Sequence, residues 1–185
     1  MRVGVLEKTV RSRQLHRGRH FSFYHDEVEL PSGRRTVRDI VRHPGAVAVL
    51  PVLPDGRIVL VRQYRYAAGR TLLEIPAGTL EQGESPLDCA QRELKEETGY
   101  VARYIKSLMS CYMAPGYSSE VIHFFVAEGL YEVGAKSELD ETIEIVKLER
   151  RRIIEMIEEN SIEDAKTIVG ILFLLGTRGV TLHPR

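Results

Sequence analysis

Cysteine is scarce in this chain: only Cys89 and Cys111 occur in 185 residues, in different segments and with no C-x-x-C spacing. A disulfide scaffold and a thiolate metal cluster are thereby excluded, and a reduced compartment is the natural setting. Both cysteines read as small core residues. Excess charge of one sign is also missing, since 26 lysines and arginines balance 26 aspartates and glutamates. This argues against a protein that coats nucleic acid or an anionic membrane by electrostatics alone. The longest apolar run, Ile168 to Leu175, is far too short to span a bilayer. The opening MRVGVLEKTVRSRQ has no apolar stretch of the signal-peptide kind, so a soluble cytoplasmic protein is expected. Internal repeats and low-complexity tracts are absent.

What is present is unevenly placed. Arg11, Arg13, Arg17, Arg19, Arg34, Arg35, Arg38 and Arg42 crowd the first forty-odd residues, while acids gather later, as in Glu138 to Glu144. The arginines suit either the steering of a phosphate-bearing ligand or a solvated strand face. From Phe21 to Val41 apolar and polar residues alternate on both sides of Pro31-Ser32-Gly33, which predicts a hairpin. After His43-Pro44-Gly45, the run AVAVLPVL predicts a strand buried on both faces. Further strands are expected over Arg57 to Tyr64, Thr71 to Pro76, Ala102 to Tyr112, Val121 to Glu128 and Ile143 to Leu148. Helices are expected over Glu149 to Glu158 and Asp164 to Leu175. The organisation implied is an N-terminal β element over 1–43, followed by an α/β or α+β layered domain over 44–185.

The clearest helix runs from Ser85 to Thr98, with Ser85 as N-cap, Pro86 at the first helical position, Asp88 three residues after the cap, and Gly99 as the stop. Leu87, Ala90 and Leu94 form a stripe that would anchor it on a sheet. Glu93 and Glu97 lie one turn apart with Glu96 beside them, so three carboxylates share a face. Like charges so placed destabilise a helix unless a cation sits among them. A hard divalent ion fits, because it takes oxygen ligands and keeps open positions for water and phosphate. Arg92 is the expected partner that holds a carboxylate in place. For an arbitrary glutamate-rich helix, a solvated surface is the more common meaning of RELKEE.

The whole pattern decides otherwise. Gly78, Glu84 and Arg92-Glu93-Leu94-Lys95-Glu96-Glu97-Thr98-Gly99-Tyr100 satisfy G-x5-E-x7-R-E-U-x-E-E-x-G-U at every specified position. Chance agreement in a chain of this length is about one in ten million. The sequence therefore resembles the Nudix hydrolases, and the resemblance implies an α/β/α sandwich with a mixed sheet and hydrolysis of a nucleoside diphosphate linked to another moiety. It further implies Mg2+ or Mn2+ held by Glu93, Glu97 and Glu96 with the backbone carbonyl of Ala77. Glu96 and Glu97 are then also catalytic, and Gly78, Glu84, Arg92 and Gly99 support the box structurally.

HPGAVAVL, VRQYRYAAGRTLLEIPAGTLEQGE and YMAPGYSSEVIHFFVAEGL resemble the bacterial ADP-ribose pyrophosphatase subfamily, as do Pro115, sixteen residues after Gly99, and the DAKT stretch at Asp164 to Thr167. This resemblance implies a homodimer built through the N-terminal β element, and cleavage of ADP-ribose to AMP and ribose 5-phosphate. Arg65, Arg38, Pro115 and Gly116 become candidate substrate-binding residues; the alternative for Arg65 is an exposed arginine at a strand end. In SELDETIEI the resemblance selects Glu141 as the residue that positions or deprotonates water, with Glu138 and Glu144 as rivals. Two other readings compete: a hydrolase of another nucleotide sugar, such as GDP-mannose or UDP-glucose, and a non-catalytic nucleotide-binding regulator. Action on capped RNA lacks the basic and aromatic surface that single-stranded RNA binding wants.

Overall fold

Three antiparallel strands open the chain in the computed structural model, which describes residues 6–134 and 143–176. They are β1 (Lys8–Arg17), β2 (Ser22–Glu29) and β3 (Arg35–Arg42), hydrogen-bonded in that order. The expected hairpin is β2–β3. Its turn is closed by the Gly33 N–H donating to the Leu30 carbonyl at 2.8 Å, with Gly33 at φ 80°, a region that favours glycine. Strand β1 was not legible in the sequence, and its ladder explains why. Its only aliphatic residues, Val10 and Leu15, fall at the two register shifts against β2, so the apolar period of two never forms. Asp26, buried in this sheet, accepts from Ser12 Oγ at 2.5 Å and from Arg42 Nη2 at 2.7 Å, while the Arg42 guanidinium lies 3.9 Å over the Tyr24 ring.

This first compact unit comprises Met1–Gly45 together with Tyr112–Val121. The later segment joins through the Val41 N–H donating to Tyr117 O at 2.8 Å and the Ser119 N–H donating to Val41 O at 3.0 Å.

The second unit is Ala46–Cys111 with Ile122–Arg185. Its four-stranded sheet has the order β7 (Ala77–Thr79), β4 (Ala46–Pro51), β9 (Val121–Glu132), β8 (Tyr100–Tyr112). β4 runs parallel to β9 and antiparallel to β7, so the sheet is mixed. A second sheet has the order β10 (Ile143–Leu148), β5 (Ile58–Arg65), β6 (Arg70–Glu74). All six β4 residues are buried, as the apolar run predicted. Alternation sorts them by face: Val47 and Val49 pack with Cys89, Ala90 and Leu94 of helix α1 (Pro86–Thr98) and with Phe125 and Ala127. Leu50 and Phe124 of the opposite face meet Gly170 of α3 (Ala165–Gly176). Helices thus cover β4 and β9 on both sides, which is the expected α/β/α layering. The remaining helix, α2, spans Arg150–Glu158. No described helix is long and apolar enough to cross a membrane.

Gly170 sits where a side chain would be tightly packed. A Cβ there would lie 3.2 Å from both Leu50 Cδ1 and Ile75 Cδ1 and 3.4 Å from Phe124 Cδ1. Overpacking costs ~1–3 kcal/mol and helix propensity returns ~1 kcal/mol. Gly170→Ala is therefore expected to lower stability by up to about 2 kcal/mol, read as a reduced midpoint in urea.

Helix α1 starts and stops where its signals lie. Ser85 Oγ accepts from the Asp88 N–H at 3.2 Å, and Gly99 at φ 70° donates to the Lys95 carbonyl at 2.9 Å. The anchoring stripe needs correction: Leu87 is 43% exposed, and the buried face is Cys89, Ala90, Leu94, Glu97 and Thr98. The face that anchors the helix therefore includes one of the acids.

Candidate functional site

The loop between β7 and α1 and the helix itself are tied together by Arg92. Its Nε donates to Glu84 Oε1 at 2.8 Å, its Nη2 to Glu84 Oε2 at 3.0 Å, and its Nη1 to Glu93 Oε1 at 2.7 Å and Glu96 Oε2 at 3.1 Å. Nη2 also meets the Thr79 carbonyl at 3.3 Å and Cys89 Sγ at 3.3 Å. Sequence spacing predicted one carboxylate partner for Arg92, and the fold delivers three. The fork geometry of guanidinium permits this, since one planar group offers five N–H donors. Burial, reinforced by neighbouring Glu84 and opposed by Arg92, pushes the Cys89 thiol up to about 12, so it stays protonated and unreactive.

Glu93 and Glu97 reach adjacent residues of β7, one each. Glu97, buried, accepts the Ala77 N–H on Oε2 at 3.0 Å. Glu93 packs its carboxylate against Gly78 so closely that a Cβ on that residue would overlap it. Burial raises the Glu93 pKa above the ordinary glutamate value, partly offset by Arg92 and reinforced by Glu96 and Glu84. Glu96, on the same turn, is 42% exposed. Among the described residues no three acidic, histidine or cysteine side chains stand in a ready metal cage. Glu93 and Glu96 point to Arg92, and Glu97 to an amide. The donor set nevertheless suits a hard divalent ion: two carboxylates abut the strand that carries the Ala77 carbonyl, a third flanks them, and all are oxygen donors.

Glu84 is the support that the sequence suggested. Hydrogen bonds from Arg92 hold its carboxyl down at about 2, against the opposing effect of burial and aided by the Glu81 N–H. A folded-state value below the unfolded one, about 4.3, means that the contact contributes fully above that pH and is lost as the pH falls towards 2. The stability gap between wild type and Glu84→Gln in urea titrations is accordingly expected to be largest near about pH 6 and to narrow at about pH 3.

Arg65, at the end of β5, donates through Nε and Nη2 to Glu74 Oε1 and Oε2, both at 2.8 Å. It is neither the plain exposed arginine nor an arginine without protein partners. Glu74 also takes an ion pair from Lys166, and Lys166 Nζ lies 2.9 Å from Asp164 Oδ1. Asp164 Oδ2 accepts from the Thr167 N–H at 3.0 Å and hydroxyl at 2.6 Å, and Thr167 Oγ1 accepts the Ile75 N–H at 2.8 Å. Glu74 was missed by sequence reasoning; the one signal for it is a glutamate in the otherwise apolar LLEIP. Arg38, Pro115 and Gly116 belong to the first unit. There Arg38 pairs with Glu7 at 2.7 Å, and Pro115 and Gly116 lie inside the turn closed by Ser118 N–H to Ala114 O at 2.8 Å. Glu144 is on β10, 3.1 Å from Arg62 Nε. Glu138 and Glu141 lie outside the described residues.

Comparison with known proteins adds to this geometry. The NUDIX domain family matches residues 42–167. A protein of Bacillus subtilis (strain 168) named ADP-ribose pyrophosphatase is 42% identical over 170 residues, covering 91% of this chain and 92% of its own. A Bacillus methanolicus protein named methanol dehydrogenase activator is 42% identical over the same shares of both chains. A solved structure titled "Crystal structure of ADP compounds hydrolase" superposes with a TM-score of 0.81 at 24% identity, covering 92% of each chain, which shows the same fold.

Proposed function

The chain belongs to the Nudix family and is a Nudix hydrolase, and from that premise we propose that it cleaves ADP-ribose at the diphosphate, releasing AMP and ribose 5-phosphate. The observation that carries the reading is the convergence of Glu93 and Glu97 on the Ala77–Gly78 backbone, with Arg92 drawing in Glu84 and Glu96. The B. subtilis relative supports the choice of substrate.

Glu93, Glu97 and the Ala77 carbonyl would hold Mg2+ or Mn2+, with Glu96 beside them. When bound, the ion supplies Lewis acidity and neutralises phosphate charge, which otherwise repels a nucleophile. The chain's own groups do the rest. Arg92 holds Glu84, Glu93 and Glu96 together, so that acids of one sign share a helix without splaying. Arg65, Arg38, Pro115 and Gly116 bind and orient the substrate. Glu141, or its neighbours Glu138 and Glu144, takes the proton from water as its oxygen attacks phosphorus and the diphosphate P–O bond breaks. The N-terminal β element, 1–43, pairs two copies into a homodimer; the support is β1, whose ten residues are all exposed within one chain. A cytoplasmic, soluble protein fits the absence of a crossing helix among the described residues.

A panel of ADP-ribose, GDP-mannose and UDP-glucose, assayed with Mg2+ and with excess chelator, tests the reading. ADP-ribose is expected to give the highest kcat/KM, and chelator is expected to abolish turnover. Preference for a different nucleotide sugar would transfer the reading to that substrate, and undiminished turnover in chelator would end the metal-centred account. The B. methanolicus relative favours a second reading, in which this domain acts on another enzyme. Adding the protein to methanol dehydrogenase and following its rate, with Glu97→Gln as the hydrolysis-deficient control, tests that reading.

A further inference from the structure

Among the described residues no charged side chain is more deeply buried than Glu74, which is 1% exposed. Burial alone would raise its pKa, yet bonds from Arg65 and Lys166 outweigh this and hold it ionised, below the ordinary value. A buried ion network is a poor way to gain stability alone, because apolar side chains of similar volume often serve as well. The arrangement of this one is directional. The carboxylate is 1% exposed and Lys166 13%, while Arg65 is 38% exposed, so the network meets solvent chiefly through Arg65. Two parallel hydrogen bonds fix the guanidinium plane as well as its position, which a single contact does not. The same carboxylate is placed relative to the rest of the site, because Ile75, its chain neighbour, donates its N–H to Thr167 Oγ1, and Ala77 follows two residues later.

We propose that Glu74 is a positioning residue: it holds the Arg65 guanidinium in the orientation that meets the bound nucleotide sugar, with Lys166 balancing the buried carboxylate at Oε2, the oxygen that Arg65 Nη2 also uses. This rests on the reading of Arg65 as a substrate-binding residue. Glu74 itself touches no substrate and acts through Arg65 alone.

A double-mutant cycle on Arg65→Ala and Glu74→Gln, with KM, kcat and Tm measured on the diphosphate compound turned over best in the substrate panel, tests the assignment. Glu74→Gln is expected to raise KM by about tenfold with kcat changed by less than about threefold, the signature of lost substrate binding. In the Arg65→Ala background it should add no more than about twofold, because the group it positions is gone. Arg65→Lys keeps the charge and loses the planar fork, so it should also raise KM by about tenfold, and it supplies the test should Glu74→Gln not fold. Ile153→Val, which thins the core beneath α2, should lower Tm without moving KM. An unchanged KM in folded Glu74→Gln or in Arg65→Lys, a full Glu74 effect persisting without Arg65, or an equal KM rise in Ile153→Val would each overturn the proposal. The substrate panel is judged on the wild type alone, so ADP-ribose can fail as the substrate while the positioning role holds, and the reverse.

Discussion

Glu97→Gln is expected to lower kcat by about a thousandfold, ~4 kcal/mol of barrier, while leaving the protein folded. The two halves of this expectation come from different atoms. A glutamine carbonyl still accepts the Ala77 N–H that Glu97 Oε2 now takes at 3.0 Å, so the tie between α1 and β7 survives. What disappears is the negative charge, and a neutral amide is a poor oxygen donor to a hard dication and does little to balance it. Tm should move by no more than about 3 °C, as ~1 kcal/mol corresponds to ~2–4 °C in a chain of this size. The measurement is a steady-state assay with saturating Mg2+ beside a thermal melt. Activity within a factor of about five of wild type would remove Glu97 from the chemistry, since a needed cation contact is worth far more than that. A collapsed Tm would instead mark Glu97 as a structural residue.

Gly78→Ala should be nearly as damaging to turnover, for a steric reason. Gly78 does not occupy the positive-φ region, so no backbone strain is involved. The added methyl carbon simply falls on the Glu93 carboxylate. The carboxylate must then swing out, breaking its 2.7 Å bond to Arg92 Nη1 and leaving the strand that carries the Ala77 carbonyl. We expect kcat/KM to fall by about a hundredfold and stability by ~1–3 kcal/mol, the usual range for overpacking. Truncating the obstacle separates the two effects. Gly78→Ala combined with Glu93→Ala should recover most of the lost stability, because the methyl now has room, and none of the activity. If the double variant is no more stable than Gly78→Ala, the clash is not the cause.

Both variants bear on the Glu93–Glu97 pair, and the sequence reaches that pair only halfway. Helical spacing puts Glu93, Glu96 and Glu97 on neighbouring positions. Seven residues make almost two turns, so it also puts Glu97 on the side of Ala90 and Leu94; it does not say that the carboxylate there meets the Ala77 N–H, because that depends on where β7 passes. Leu87, placed by the same spacing on the anchoring stripe, is 43% exposed, and Cys89 is buried instead. Periodicity measures the angle between residues on one helix; the partner surface sets which angle points inward.

What the sequence determined by itself is whatever short-range physics encodes. Ser85, Pro86 and Gly99 bracket α1, Gly33 makes the hairpin turn, and an unbroken apolar run makes β4 a strand buried on both faces. The motif from Gly78 to Tyr100 carries the family, since its spacings are fixed along the chain. Tertiary structure decided the rest. It recruited the segment 112–121 to the first sheet, and it paired β1 through bulges that erase its apolar period. It gave Arg92 three carboxylates, and it joined Glu74 to Lys166 across a separation of 92 residues. Such contacts leave no periodic trace in a single chain, because an ion pair between distant residues is set by how sheets and helices meet and not by any local preference of backbone or side chain.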